Sequence, residues 1–322
     1  MSREIRALKG IRVGISLSET EDLASRGYTA SGVNRLAVHF ATALLAEGAS
    51  LAFGHDWRSE GVMEAVCRAA LDHVEPRDPS RRRNDRGSGG DLDALEPLLN
   101  LLAWPDQPRL DSETRDQLAG LVRIRTVPVR SNVSPPSASS GPQRRYARAR
   151  ALTEMRHQLT QACAARVCVG GRMRNSQGRY PGIFEEAIFA LEARQPIYLV
   201  GLLGGASAAL AAVVADGLPA PDSLLVEDDE GIGPHLSVLY RDYAGTPTSL
   251  EPHEAECRPV PDTQIDLTRD LGLFRLLGLT GLSRLNGLTA PENRRLAETG
   301  LEDEALHLVL TGLARSFGRP DP

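Results

Sequence analysis

The sequence predicts an α/β fold in which helices cover both faces of a mostly parallel sheet, with a helical extension at the C-terminus. Short apolar segments with the two-residue period of strands alternate with segments of helical period, and several strands end at glycines just before a helix. The chain has 322 residues, 41% hydrophobic and 25% charged, which is enough to bury a sizeable core. This pattern is typical of Rossmann-like proteins, whose ligands bind beyond the carboxyl ends of the strands.

The predicted elements follow one another in regular order. Alternating apolar residues from Ile11 to Leu17 predict the first strand, and a helix from Ser31 follows, closed by a left-handed cap at Gly48. The remaining strands are predicted at 51–53, 98–104, 124–129, 165–171 and 197–200. Helices are predicted at 62–71, around Leu118, from about 143, from about 182 and at 206–214.

Polar segments separate some of these elements. The run 75–91 contains three consecutive arginines at 81–83 and a Gly-Ser-Gly-Gly stretch, which favours a solvated loop over a binding patch. The Ser- and Pro-rich run 132–142 is interpreted as a loop at the sheet edge. We therefore expect one Rossmann-like domain over 1–260 and a helical extension over 261–322.

The extension begins near Ile265 and carries no chemical motif. The spacing from Thr289 to Glu292 predicts a capping box, and leucines at helical spacing supply apolar faces. These faces would pack on the sheet domain or on a second subunit, so a homo-oligomer through the C-terminal helices is expected.

Composition excludes several function classes. The net charge of −5 argues against nonspecific nucleic-acid binding, which needs a basic surface. Lys9 is the only lysine, so a Walker phosphate loop and a Schiff-base lysine are excluded, and arginine is the side chain that would hold an anion. No apolar segment resembles a signal peptide or a membrane span, and we expect a cytoplasmic protein without a membrane partner.

The cysteines indicate neither a disulfide framework nor a metal site. They form no CxxC pair and have no histidine at metal-ligand spacing, so we interpret them as core thiols and expect no metal and no cofactor. The four are Cys67, Cys163, Cys168 and Cys257.

Two glycine pairs, Gly170-Gly171 and Gly204-Gly205, each follow a short apolar strand and precede a helix. Backbone amides at such turns, together with the positive end of a helix dipole, can hold an anion without lysine. Glycine also permits tight packing of helix on strand, so a purely structural role for either turn stays open. Two such turns in succession favour a ligand site.

The order of residues around the first turn resembles the SLOG superfamily, which includes the LOG phosphoribohydrolases, DNA-processing proteins and nucleotide-sensing domains. LOG enzymes have a Met-Arg segment on a helix, a Pro-Gly-Gly turn after a strand, and a helix that opens with Gly-Thr-x-x-Glu. The matching segments are Met155-Arg156, Val169-Gly-Gly171 and Gly182-Ile-Phe-Glu-Glu186, with Ile183 in place of threonine and an insert over 172–181. Residues 11–19 and Gly32 resemble the family's first strand and loop, so the resemblance covers about residues 10 to 215.

The resemblance implies that Glu186 is the catalytic carboxylate and Arg156 the catalytic arginine of an N-glycosidic hydrolase. A carboxylate would stabilise the positive charge that develops on the ribose, and an arginine would orient phosphate or ribose. Sensing domains of the superfamily bind an ADP-ribose-like messenger without turnover, as in anti-phage defence, and the isoleucine is compatible with that alternative. The turns and the resemblance together predict a site for a nucleotide derivative formed by Gly14, Ser16, Ser18, Gly32, Gly170, Gly171, Arg172, Gly182, Gly204 and Gly205.

Local sequence leaves structural alternatives open for both catalytic candidates. Glu185 and Glu186 lie in the first turns of a predicted helix, where the dipole favours any acid, and helical spacing does not choose between them. Arg156 could form a surface salt bridge, for example with Glu154. A His-Asp pair at 55–56 fits a turn contact, and the absence of a GxGxxG motif argues against a dehydrogenase.

Overall fold

A computed structural model describes residues 7–54, 57, 61–73, 96–106, 112–127, 141–174, 176–217 and 267–318. Six of the described segments form one parallel sheet: β1 (Arg12–Ser18), β2 (Ser50–Phe53), β3 (Leu98–Ala103), β4 (Val122–Val127), β5 (Ala165–Gly170) and β6 (Ile197–Val200). The strand order is β4-β3-β2-β1-β5-β6. The chain moves outward from β1 to β4 and then returns to place β5 beside β1. The order therefore reverses between β1 and β5, the position at which open parallel sheets form their ligand crevice.

Helices follow the strands as the sequence predicts. The described helices are α1 (Ala30–Ala46), α2 (Val62–His73), α3 (Ser112–Gln117), α4 (Pro142–Gln161), α5 (Gly182–Glu192), α6 (Gly205–Asp216), α7 (Leu267–Asn286), α8 (Ala290–Glu298) and α9 (Glu302–Phe317). The predicted α/β class and the helical C-terminus are confirmed. Gly48 has the predicted left-handed conformation after α1, with φ of 87°.

Alternation along the strands divides the core into two layers. Val13, Ile15 and Leu17 of β1 face the layer that contains α1, α2 and α9. Side chains of β5, β6, α5, α6 and α7 form an apolar cluster on the opposite face, and α4 packs there on β2 and β3. Helices therefore cover both faces of the sheet, and every residue of β2, β3, β5 and β6 is buried.

The C-terminal helices pack on the sheet of their own chain. The hydroxyl of Tyr198 in β6 donates to the Asn286 carbonyl at 2.9 Å, and the side chains of Leu296 and Leu313 are fully buried. The predicted capping box of α8 is present: the Thr289 amide donates to Glu292 Oε2 at 2.7 Å, and Thr289 Oγ1 accepts from the Glu292 amide. Most of the apolar faces predicted for this segment are thus buried within the molecule.

The described cysteines are free thiols in the core, as predicted. Cys67, Cys163 and Cys168 are buried, and burial raises the pKa of Cys67 and of Cys168 to about 12. These thiols are therefore protonated at neutral pH. None of the described helices combines the length and the apolar character that a membrane crossing requires.

Some sequence predictions lie outside the described residues. They are Cys257, the His-Asp pair at 55–56, the arginines at 81–83, the loop at 132–140 and the division at 260/261.

Candidate functional site

Five charged side chains lie together between the sheet and the helices α4 and α5. They form what we call the carboxylate–arginine cluster, which consists of Arg156, Arg166, Arg179, Glu185 and Glu186. Each of the five residues is at most 8% exposed. Buried charges of this kind are stable only when paired and hydrogen-bonded, so the cluster acts as one electrostatic unit.

Glu186 is held against the middle of β1 through one carboxylate oxygen. Its Oε2 accepts a short hydrogen bond from the Ser16 hydroxyl and a second bond, of 3.1 Å, from Arg166 Nη1. Its Oε1 lies 3.7 Å from Arg156 Nε and accepts no hydrogen bond from a described residue. The two oxygens therefore have different environments, one saturated with donors and one facing the arginine.

Glu185 is fully buried and has a different set of partners. Its carboxylate accepts hydrogen bonds from the Thr153 hydroxyl at 2.7 Å, from Arg156 Nη1 at 2.6 Å and from Arg179 Nε at 3.1 Å. Helical spacing does not choose between Glu185 and Glu186 as the catalytic acid, and both carboxylates are buried in the structure. Glu185 anchors two arginines, whereas Glu186 keeps one oxygen free of hydrogen bonds within the described structure.

Arg156 reaches from α4 into the cluster and does not form a surface salt bridge. Glu154 accepts from Gln158 Nε2 at 2.6 Å instead, so the surface interpretation of Arg156 is wrong. The outer nitrogen Nη2 of Arg156 lies at the start of α5, where a Cβ at Gly182 would be only 2.8 Å away. A Cβ at Gly178 would overlap Nη1. Glycines of the insert and of α5 therefore fit closely over this guanidinium.

The two glycine turns follow the neighbouring strands β5 and β6 and contact one another beside the switch point. The Gly171 amide donates to the Ser18 carbonyl at 3.1 Å, and the Gly171 carbonyl accepts from the Ala206 amide at 2.9 Å. The Gly204 amide donates to the carbonyl of Gly201 at 2.9 Å. A Cβ at Gly205 would overlap the Gly171 carbonyl, so glycine allows this close approach. The turns are tied to each other and to β1.

The loop after β1 places acidic side chains against amides of the insert and of the second glycine turn. Glu21 accepts hydrogen bonds from the amides of Met173 and Arg174, and Asp22 Oδ2 lies 3.4 Å from the Gly205 amide at the start of α6. Carboxylates of the chain thus occupy amides that could bind an anion.

Two further predicted ligand residues make contacts of their own. Arg172 Nη2 pairs with Glu19 at 3.0 Å on the surface, and the Gly32 amide donates to the Thr29 hydroxyl, which caps α1. Both contacts lie outside the carboxylate–arginine cluster.

The structure brings part of the predicted site together and adds residues to it. Gly14, Ser16, Arg156, Gly182 and Glu186 all belong to the cluster or touch it. The glycine turns and Ser18 form a neighbouring group. Local sequence reasoning missed four polar residues that complete these two groups: Thr20, Thr153, Arg166 and Arg179. Arg166 had one available signal, because it is a charged residue within an otherwise apolar strand.

Acidic and basic groups at α5 continue beyond the cluster. The Tyr180 hydroxyl donates to Asp270 Oδ2 at 2.7 Å, which joins the insert to α7. The pKa of Glu192 is raised, first by partial burial and second by the nearby Asp270 carboxylate. Arg179 also lies over the Tyr180 ring, with 4.7 Å between its Cζ and the ring centre.

The fold and the site define a Rossmann-like protein with its polar residues gathered beside the switch point of a parallel sheet. The chain belongs to the SLOG superfamily, since the family model described as SLOG cluster2 matches residues 7–296. This match includes α7 and most of α8 and so extends past the region of the sequence resemblance. SLOG domains are generally associated with nucleotide-derived ligands. No curated protein gives a significant match to the chain.

Proposed function

We propose that the protein binds a nucleotide derivative beside the β1–β5 switch point and hydrolyses its N-glycosidic bond. The ligand would be a nucleoside monophosphate or an NAD- or ADP-ribose-like molecule. The observation that carries the proposal is the pairing of Glu186 with Arg156, in which Glu186 Oε1 lies 3.7 Å from Arg156 Nε. These are the two residues that the family resemblance assigns to catalysis, and they lie on different elements that only the fold brings together.

The carboxylate supplies the chemistry that this reaction needs. Cleavage of the glycosidic bond develops positive charge on the ribose, and Glu186 Oε1 is the oxygen available to stabilise that charge. Arg156 Nη2, at the N-terminal end of α5, is placed to orient a phosphate or a ribose hydroxyl. Binding energy from the phosphate would position the sugar against the carboxylate.

An N-terminal helix end and the glycine turns would complete the anion site. Gly182 is the first residue of α5, and the Ile183 side chain packs against Gly171, 2.9 Å from a Cβ placed there. Ser18, Gly170, Gly204 and Gly205 shape the crevice floor. In this proposal, a bound phosphate replaces the carboxylates of Glu21 and Asp22 at the amides they occupy.

A nucleotide panel tests the proposal directly. The protein is incubated with AMP, CMP, NAD and ADP-ribose, and the released base or nicotinamide is measured by chromatography. Glu186→Gln should keep binding and lose turnover by roughly a hundredfold or more, as expected for one electrostatic partner of the transition state. Glu192→Gln, on the last turn of the same helix, is the matched control and should keep the wild-type rate.

A non-catalytic sensor of an ADP-ribose-like messenger is the second candidate. It is favoured by the 8% exposure of Glu186 and by Ile183, which stands where LOG enzymes have threonine. Tight ADP-ribose binding by calorimetry, with no product from any nucleotide of the panel over hours and loss of binding in Arg156→Ala, would support this candidate over the hydrolase.

We also propose that the C-terminal helices join two or more copies of the chain. Most of their apolar surface is buried on their own sheet, but Leu276 on α7 and Leu301 before α9 are 86% and 63% exposed. Light scattering coupled to size exclusion measures the subunit number. A mass unchanged by Leu276→Glu and Leu301→Glu would contradict an interface on these residues.

A further inference from the structure

We infer that Arg166 is a positioning residue for Glu186. Together with Ser16, Arg166 fixes Oε2 of Glu186 and leaves Oε1 of Glu186 directed at the ligand. The inference deepens the proposed function and, for its effect on the reaction, rests on it. It concerns a residue that neither the glycine turns nor the family motifs identify. The geometry that carries it lies within the described part of the sheet and of the helices α4 and α5.

Arg166 is fully buried on a strand whose other side chains are apolar. Among the described residues, Glu186 is the carboxylate with which it forms an ion pair. A guanidinium in such a place is destabilising unless a carboxylate compensates its charge. Arg166 therefore depends on Glu186 for compensation of its charge.

The arginine is held at both ends of its guanidinium. Nη1 donates to Glu186 Oε2 and to the Ser16 hydroxyl, at 3.1 and 3.2 Å. Nη2 donates to the Thr160 hydroxyl at 3.2 Å, and Thr160 in turn donates to the Arg156 carbonyl at 3.0 Å. This chain of bonds links β5 to the helix that carries the catalytic arginine.

Space for the guanidinium comes from β1. Gly14 is the partner of Arg166 across the parallel pair, and a Cβ at position 14 would lie 2.9 Å from Arg166 Cζ. The side chain of Arg166 thus lies across the face of β1 towards Ser16 and Glu186. An alanine at position 14 would push it away from that place.

Two donors on one oxygen limit the rotation of the Glu186 carboxylate. With Oε2 held by Ser16 and Arg166, Oε1 remains on the side of Arg156. A preorganised carboxylate does not need to reorient as charge develops on the ribose, and this lowers the barrier of the reaction. Arg166 acts through Glu186 and needs no contact with the ligand.

The test compares Arg166→Lys, Arg166→Met and Ser16→Ala with the wild-type protein on the nucleotide it cleaves. We expect kcat to fall about tenfold or more in Arg166→Met and Ser16→Ala, with KM changed less than twofold. Arg166→Lys keeps the positive charge, so its kcat should fall less than that of Arg166→Met. Arg148→Met, which removes a partly buried arginine of α4 from its pair with Asp106, is the control and should keep kcat.

An infrared readout does not depend on turnover. The carboxylate band of Glu186, obtained by subtracting the spectrum of Glu186→Gln, should shift in Ser16→Ala and Arg166→Lys and stay in place in Arg148→Met. Ser16→Ala removes one hydroxyl group and leaves the rest of the side chain in place. This variant therefore still tests the inference if Arg166→Met does not fold.

The outcomes separate the two proposals. If wild-type protein releases no base, the hydrolase proposal fails, while a shifted carboxylate band still supports the positioning of Glu186 by Arg166. If folded Ser16→Ala and Arg166→Lys keep both the wild-type band and the wild-type kcat, the positioning inference is overturned and the hydrolase proposal is not.

Discussion

Replacing Glu185 with glutamine should destabilise the fold strongly, although the side chain keeps its size. The carboxylate is fully buried and accepts from Thr153, Arg156 and Arg179. In the carboxylate–arginine cluster two carboxylates compensate the charge of three arginines, and the variant leaves one carboxylate for the three arginines. The amide group of the new side chain would also turn a donor towards guanidinium donors.

The magnitude follows from the loss of one partner of a buried ion pair, which costs about 3–5 kcal/mol. The retained acceptor oxygen places the expected loss near the lower end, about 3 kcal/mol. For a domain of roughly 150–250 residues, each kcal/mol lowers Tm by about 2–4 °C, so the midpoint should fall by about 6–12 °C.

Urea unfolding followed by circular dichroism measures this loss as a free energy. Glu192→Gln is the control on the same helix, because the Glu192 side chain is exposed and forms no hydrogen bond or ion pair with the cluster in the described part of the chain. If Glu185→Gln loses less than about 1 kcal/mol, the network does not have the energetic role that its burial implies.

Four further predictions follow from single positions. Gly272→Ala should raise stability by about 0.5–1 kcal/mol, because the glycine lies within α7 and an added Cβ meets nothing within 4 Å. Gly201→Ala should lower it clearly, because its Cβ would overlap the Ala297 carbonyl of α8; equal urea midpoints for both variants would contradict this packing. The raised pKa of Glu192 means that folded protein holds its proton more tightly than unfolded protein, so stability falls as pH rises from the unfolded to the folded pKa. Glu192→Gln should therefore be at least as stable as wild type at pH 7, and the difference should disappear below about pH 4 in thermal melts. Glu292, whose pKa is lowered to about 2 by Arg315 and by the Thr289 amide, contributes stability above its unfolded pKa that is lost as pH falls towards 2. Glu292→Gln, which still suits the capping box, should lose a little Tm at pH 7 and none at pH 2.

The sequence predicts the order of the fold because period and glycine position are local properties. The strand at β1, the left-handed cap at Gly48 and the capping box at Thr289 all depend on residues a few positions apart. Element ends shift by a few residues, since a strand stops where its partner stops: β4 runs over Val122–Val127, whereas its apolar pattern predicts 124–129.

The site depends on contacts that local sequence does not contain. Glu185 and Glu186 share a helix end, and only the positions of Thr153, Ser16 and Arg166 on other elements give the two acids different partners. Likewise, the carboxylates at the amides of the insert and of the second glycine turn come from a loop about 150–180 residues earlier in the chain. The resemblance identifies Glu186 and Arg156 as a pair, but not the arginine and serine behind them.

The contact between Gly14 and Arg166 has a consequence for the history of the family. Because the arginine occupies the volume that a side chain at position 14 would fill, substitutions at the two positions should be coupled. Alanine at position 14 requires the arginine side chain to shift, and loss of the arginine removes one of the two donors to Glu186 Oε2. In relatives that lack the acid at position 186, we therefore expect positions 14 and 166 to vary as well. The residues at these three positions can divide relatives into groups with and without an oriented carboxylate.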